Sequence, residues 1–205
     1  GLAYDYRNQG MLLIEMGKPE QAVPLLQKGL ILSRKISDQR NMIQSHYGLG
    51  KALGQLKKNQ LAIAHLDSGL TLTKTLQLPD IEWRLYYDLG LLYENMGQNL
   101  NAVGQYKKAV TIVENLRSEL KIESFKQGFF NNKTDLYEDL ITLLIRMKRF
   151  EQAFAYTERA KSRSFIDMLG NQELNLSPAD QAQLAREKEA RSQLQEAQDH
   201  LIQLK

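Results

Sequence analysis

Apolar residues return along this chain at steps of three and four, the spacing of one face of an α-helix. Tyr6, Leu13 and Ile14 form one such run, and Ala22, Leu25, Leu26 and Leu30 form the next. Gly17-Lys18-Pro19 separates them, with glycine just past a helix end and proline at the first position of the following helix. The same reading predicts a helix near 40–56, a turn at Lys57-Lys58-Asn59 and a helix near 60–75. It then predicts a helix near 80–96, entered at Pro79-Asp80, a turn at Gly97-Gln98-Asn99 and a helix near 100–116. Pro24 falls inside a predicted helix and should remove one hydrogen bond or kink it.

Small residues keep time with this pattern. Glycine recurs at Gly10, Gly50 and Gly90 and alanine at Ala22, Ala62 and Ala102, both with a step of 40 and a constant offset of 12. A long fixed period marks stacked repeats, in which each unit buries its apolar face on its neighbours. The pattern returns once more out of step. Tyr137, Leu140, Leu144 and Ala153 take the places of Tyr86, Leu89, Tyr93 and Ala102, and the 51 residues from Ala102 to Ala153 imply an insertion of 11. It lies in or beside 117–133, where Phe125, Phe129 and Phe130 predict a lengthened or extra helix that turns at Gly128 or Asn131-Asn132. A long helix runs from about 150 to Leu169 and stops at Gly170-Asn171. After a polar linker, Ser177-Pro178-Ala179-Asp180 opens a last helix with a thin apolar stripe.

Composition narrows the function. The 205 residues carry a formal charge of only +3, too little to point to nucleic acid or an anionic membrane. Zero cysteines remove disulfides, thiol nucleophiles and Cys-based zinc sites together. No apolar run is long enough to span a bilayer and no secretory leader is visible, so the expected setting is cytoplasmic. The expected fold is all-α, a right-handed superhelical solenoid of helix-turn-helix repeats with a period of about 40 plus a C-terminal helix. The expected array occupies 1–170, with repeats near 3–36, 43–76, 83–116 and 134–167 and the insertion near 117–133. Residues 171–205 are expected to form a linker and helix leading to a domain outside the chain.

The small residues Gly10, Ala22, Gly29, Gly50, Ala62, Gly69, Gly90, Ala102 and Ala109, with large ones at Tyr6, Leu13, Leu49, Leu53, Tyr86, Leu89 and Tyr93, resemble the tetratricopeptide repeat (TPR) over roughly residues 3–165. Small side chains let the two helices of a hairpin approach, and the large ones fill the space beside them. Ala153 holds the corresponding place in the fourth unit. Gln9, His46 and Ile141 depart from the pattern, and the excess over the common 34-residue repeat is assigned to each second helix. Residues 80–170, and Glu158-Arg159-Ala160-Lys161-Ser162-Arg163-Ser164-Phe165 within them, resemble the repeat region that precedes the caspase-like CHAT domain of bacterial multidomain proteins. That resemblance implies a regulatory or recruiting array and a caspase-like partner domain in the same polypeptide.

The TPR resemblance places a binding groove on the first helix of each unit. Its inward positions would be Tyr4, Arg7, Met11, Ile14 and Glu15, then Gln44, Tyr47, Lys51, Gly54 and Gln55, then Arg84, Tyr87, Leu91, Glu94 and Asn95, then Asp135, Glu138, Thr142, Ile145 and Arg146. Tyr4, Arg7, Tyr47, Lys51, Arg84, Tyr87, Glu94 and Glu138 are the candidate contacts, because Tyr and Arg combine area with a polar handle. The occupant would be a protein or peptide of unknown identity. Met11, Gly48 and Asp88 occupy three of the five places of a chaperone-type carboxylate clamp and break it.

Other chemistry is thin. Gly48–Gly54 reads GLGKALG, but it sits in helical period and lacks the strand, loop and Ser or Thr of a phosphate site. His46, His65 and His200 show no metal-ligand spacing, and His46 reads as a core residue. Asp135, Glu138 and Asp139 read as a solvated or groove-facing acidic patch. Arg159, Lys161 and Arg163 form a basic run, better read as a docking face than as a nucleic-acid footprint. Asn132-Lys133-Thr134 fits a glycosylation acceptor by chance. The reading is therefore a non-enzymatic interaction module with no cofactor and no metal. An intramolecular regulator without a separate partner, and a nucleic-acid-binding helical repeat, are the alternatives.

Overall fold

The computed structural model describes residues 1–118 and 134–171. The described residues are helical and carry no strand. Three antiparallel hairpins come first: α1 Leu2–Glu15 with α2 Pro19–Lys35, α3 Gln39–Gln55 with α4 Asn59–Leu76, and α5 Pro79–Asn95 with α6 Asn99–Ser118. Next come α7 Thr134–Arg146 and α8 Phe150–Asn171. Residues 1–167 form one compact unit. Within it, α2 packs on α3, α4 on α5 and α6 on α7, while the first helices touch in the order α1, α3, α5. The predicted insertion helix, the last helix, His200 and Asn132-Lys133 lie outside the described residues.

The extra length over a 34-residue unit is shared, not confined to the second helices. The helices α2, α3 and α5 each have 17 residues and α4 has 18. A common turn explains this equality. Left-handed residues stand at Gly17, Ser37, Lys57, Gln77 and Gly97, one every 20 positions, with φ between 52° and 72°. Each donates its N–H to the carbonyl three residues back, and the next residue donates to the carbonyl five residues back. Gly97 N bonds Glu94 O at 2.9 Å and Gln98 N bonds Tyr93 O at 2.8 Å. These bonds satisfy the orphan carbonyls of the helix end. At residue 117 the beat is lost because α6 runs on to Ser118, and it resumes at Lys148, with φ 59°. Pro19 and Pro79 open their helices, and Pro24 sits on the exposed side of α2 without ending it.

The core follows the small residues. Ala22, Ala62 and Ala102 are fully buried, and Ala153 is nearly so. A Cβ on Gly10 would lie 2.5 Å from Leu26, one on Gly50 2.5 Å from Leu66, and one on Gly90 2.3 Å from the Tyr106 ring. Each hairpin thus closes over a glycine. Gly48, which also looked loop-like in sequence, is buried in mid-α3 with Leu26 beside it.

The histidines that seemed isolated in sequence meet in space. His46 on α3 is buried, and its Nδ1 lies 3.1 Å from Nδ1 of His65 on α4. One ring donates and the other accepts, so the pair holds at least one neutral imidazole. Burial first, then the neighbouring His65 and Arg34, depress the His46 pKa to about 4, and burial lowers that of His65.

Two outcomes are expected from this framework. Lys57→Gly should raise stability by about 0.5–1 kcal/mol, because a lysine in the left-handed region is strained where glycine is not, and Gly97→Ala should lower it by a similar amount. Urea midpoints of both variants check this. The second concerns pH. A histidine whose folded pKa is depressed leaves the folded state with fewer protons than the unfolded chain between about 6.5 and 4. Stability from His46 is therefore present above pH 6.5, falls as pH drops to about 4, and levels below that. The loss should be on the order of 2 kcal/mol after allowing for partial solvent screening. Asp88, whose pKa burial raises, acts in the opposite direction, so the difference between wild type and His46→Gln in urea midpoint against pH isolates the imidazole. Equal pH slopes in the two proteins would contradict it.

Candidate functional site

The first helices α1, α3, α5 and α7 supply the candidate face, and its residues divide into those already engaged and those left open. At the α1–α3 junction Asp38 caps α3, its carboxylate accepting from Asn41 N at 3.0 Å and Asn41 Nδ2 at 2.6 Å. The Asn41 backbone N–H and then its side chain hold the Asp38 pKa below the ordinary carboxylate value. Asn41 Oδ1 in turn accepts from Arg7 Nη1 at 2.9 Å, and the Arg7 guanidinium lies 4.4 Å from the centre of the exposed Tyr4 ring. Arg7 therefore ties α1 to α3 as well as facing outward.

At the α3–α5 junction Tyr47 is largely covered. Burial, followed by the negative charge of Asp88, pushes its pKa well above the ordinary value, against the pull of Arg84. The Lys51 ammonium stands 5.6 Å over the Tyr47 ring. Asp88 is the residue that sequence reasoning passed over, noting it only as a break in a clamp. Burial pushes its carboxyl up to about 6, opposed by Lys51, the Tyr47 hydroxyl and Arg84. Its Oδ2 is enclosed and has no hydrogen-bond partner. A cheap signal was present: an acid one turn after Arg84 on the same helix. Arg84 itself is exposed.

At the junction of α5, α6 and α7 the acids are engaged. The Tyr87 hydroxyl donates to Asp139 Oδ2 at 2.6 Å, and burial followed by that bond raises the Tyr87 pKa. Glu94 accepts from the Tyr106 hydroxyl at 2.7 Å and pairs with Arg146. Burial and Glu94 raise the Tyr106 pKa. Glu114 repeats the motif, accepting from the Tyr137 hydroxyl at 2.9 Å and pairing with Arg159. Tyr87 and Glu94, candidate ligand contacts by sequence, thus spend their polar atoms within the fold. Glu138 and Asp135 on α7 are exposed. Ile14, expected to face the groove, is buried in the core instead.

The competing chemistries find little support among the described residues. No three metal-ligating side chains converge there, and no described helix is long and apolar enough to cross a membrane. Arg159 of the basic run pairs with Glu114, and Lys161 lies 3.8 Å from Glu158. The GLGKALG segment is helix interior, not a loop.

The tetratricopeptide-repeat profile matches residues 84–115, which take in most of α5, the turn and most of α6. No curated protein matches the chain. Among solved structures it is similar to aspartyl phosphate phosphatase F from Bacillus subtilis, with a TM-score of 0.69 at 14% identity over 83% of this chain and 41% of that one. A Rap protein complexed with competence and sporulation factor gives 0.66 at 16% identity over 81% and 43%. A Podosopora anserina protein of nearly identical TPR-like repeats gives 0.60 at 20% identity over 98% and 91%. The chain spans less than half the length of the first two of these structures. Together with the hairpins above, these likenesses establish an all-α fold of TPR-like helical repeats.

Proposed function

We propose that the chain is a non-enzymatic interaction module that takes an extended peptide or partner segment along the face of its first helices. One observation carries this reading. That face leaves a cation exposed at Arg84 and acids exposed at Glu138 and Asp135, with one oxygen of Asp88 lacking a donor, while the neighbouring acids Asp139 and Glu94 are satisfied internally. A surface that closes its structural ion pairs and leaves these groups open is suited to complementary charge and hydrogen bonding from outside. The similar Rap structure is a complex with a named factor, which supports ligand binding by this fold class. On the likeness of residues 158–165, we assign the array a recruiting or regulatory part in a cytoplasmic protein with a caspase-like CHAT domain. Nucleic-acid binding is disfavoured because Arg159 and Lys161 each have an acidic partner.

The test is selection of displayed random peptides on the wild-type protein, followed by binding to Arg84→Ala combined with Glu138→Ala. Both side chains are exposed, so the helix content and melting temperature should not change. Selected peptides should lose affinity roughly tenfold or more, the scale of one or two charge-assisted contacts. Unchanged affinity would place binding elsewhere and end this reading.

A further inference from the structure

Between α3 and α5 lies a recess of about 200 Å³ whose wall includes Lys51, Gly54, Gln55, Asp88, Leu91 and Asn95. Its polar lining is unusual in sign. Lys51 and Asp88 both border it; the Lys51 charge steadies the Asp88 carboxylate, and its ammonium stands 5.6 Å over the Tyr47 ring. The Asp88 carboxylate has an oxygen shut away from water without a donor. The Tyr47 hydroxyl serves the same carboxylate, but an enclosed carboxylate oxygen without a donor of its own is destabilising until one reaches it. The recess therefore presents a separated acceptor and donor to whatever enters.

We infer that this recess binds a side-chain carboxamide, that of a glutamine or asparagine in a peptide laid along the first helices. This rests on the groove reading and adds the chemistry of one contact. A carboxamide carries an N–H for Asp88 and a carbonyl oxygen for Lys51 Nζ, and it is neutral. An entering ammonium would face Lys51 with like charge, with Arg84 close behind, and an entering carboxylate would face Asp88. The amides of Gln55 and Asn95 can complete either half of the pattern, and Leu91 and Leu92 offer apolar wall to the methylenes of a glutamine stem.

The probes are the N-acetyl, N-methylamide derivatives of glutamine, lysine, glutamate and alanine, titrated into the isotopically labelled chain while its amide resonances are followed. The glutamine probe should move the resonances of residues 50–55 and 88–95 at lower concentration than the other three. Asp88→Asn, which replaces the acceptor with a donor beside Lys51, should weaken the glutamine probe roughly tenfold and turn preference to glutamate. Lys51→Met should turn preference to lysine. Spectra of the free variants that superimpose on wild type away from the recess establish that both are folded. Stronger response to lysine or glutamate in the wild type, no response at the recess to any probe, or a glutamine preference that survives both substitutions would overturn the assignment. Displayed peptides that depend on Arg84 and Glu138 but are indifferent to Asp88→Asn would remove the recess and leave the groove standing.

Discussion

The missing Cβ at three glycines sets how closely each helix pair closes. With a side chain at Gly90 the Tyr106 ring, 2.3 Å away, would have to leave, and with it the hydroxyl that reaches Glu94. The equivalent contacts at Gly10 and Gly50 admit Leu26 and Leu66, two of the fully buried leucines. The backbone of the second helix approaches as well, with the carbonyls of Ala22 and Ala62 within 3.5 Å of the built Cβ positions. Because interiors are close-packed, this spacing propagates to the opposite side of each first helix. It thereby sets where Tyr47, Lys51, Arg84 and Asp88 stand relative to one another.

Much of this was written in the sequence because small residues at a 40-residue step have few other uses. Helical period, the Gly and Ala series and the fold class follow from that alone. The 20-residue beat of left-handed turns was hidden, since only Gly17 and Gly97 of its members are glycine. At Ser37, Lys57, Gln77 and Lys148 the conformation is imposed by the closing hydrogen bonds of the helix end, whatever the side chain prefers. The His46–His65 contact was hidden for a related reason. Nineteen residues separate them, and only the antiparallel closure of α3 on α4 makes that interval a contact.

The fourth unit shows what replaces nesting where the small residue is gone. Ile141 holds the place of the glycine, and positions 117 and 137, where the 20-residue beat would fall, are both helical. Here two tyrosine–glutamate–arginine relays appear, one through Glu94 and one through Glu114. In each, a carboxylate more covered than its arginine accepts a tyrosine hydroxyl and an arginine, with side-chain exposure of 22% for Glu94 and 13% for Glu114. Charge-assisted bonds to a partly covered acid are stronger and more directional than a surface ion pair. They fix α7 and α8 on α5 and α6 by geometry where shape alone does so less well.

That division of labour also bears on which polar groups are open to a ligand. Spacing along the first helices put Tyr87, Glu94 and Glu138 in one class, because spacing reports direction and not partnership. The fold separates them. Tyr87 and Glu94 are committed to Asp139, Tyr106 and Arg146, whereas Glu138 is exposed. The acids near the face therefore rank by satisfaction. Asp139 has its tyrosine, Glu94 its tyrosine and arginine, and Asp38 its amide N–H groups, while Asp88 is enclosed with an oxygen that has none. Buried polar atoms are nearly always paired in stable proteins. A fold that pairs these other acids and leaves one oxygen of this one without a donor, with the Lys51 ammonium over an adjacent ring, leaves unspent accepting capacity between the second and third hairpins.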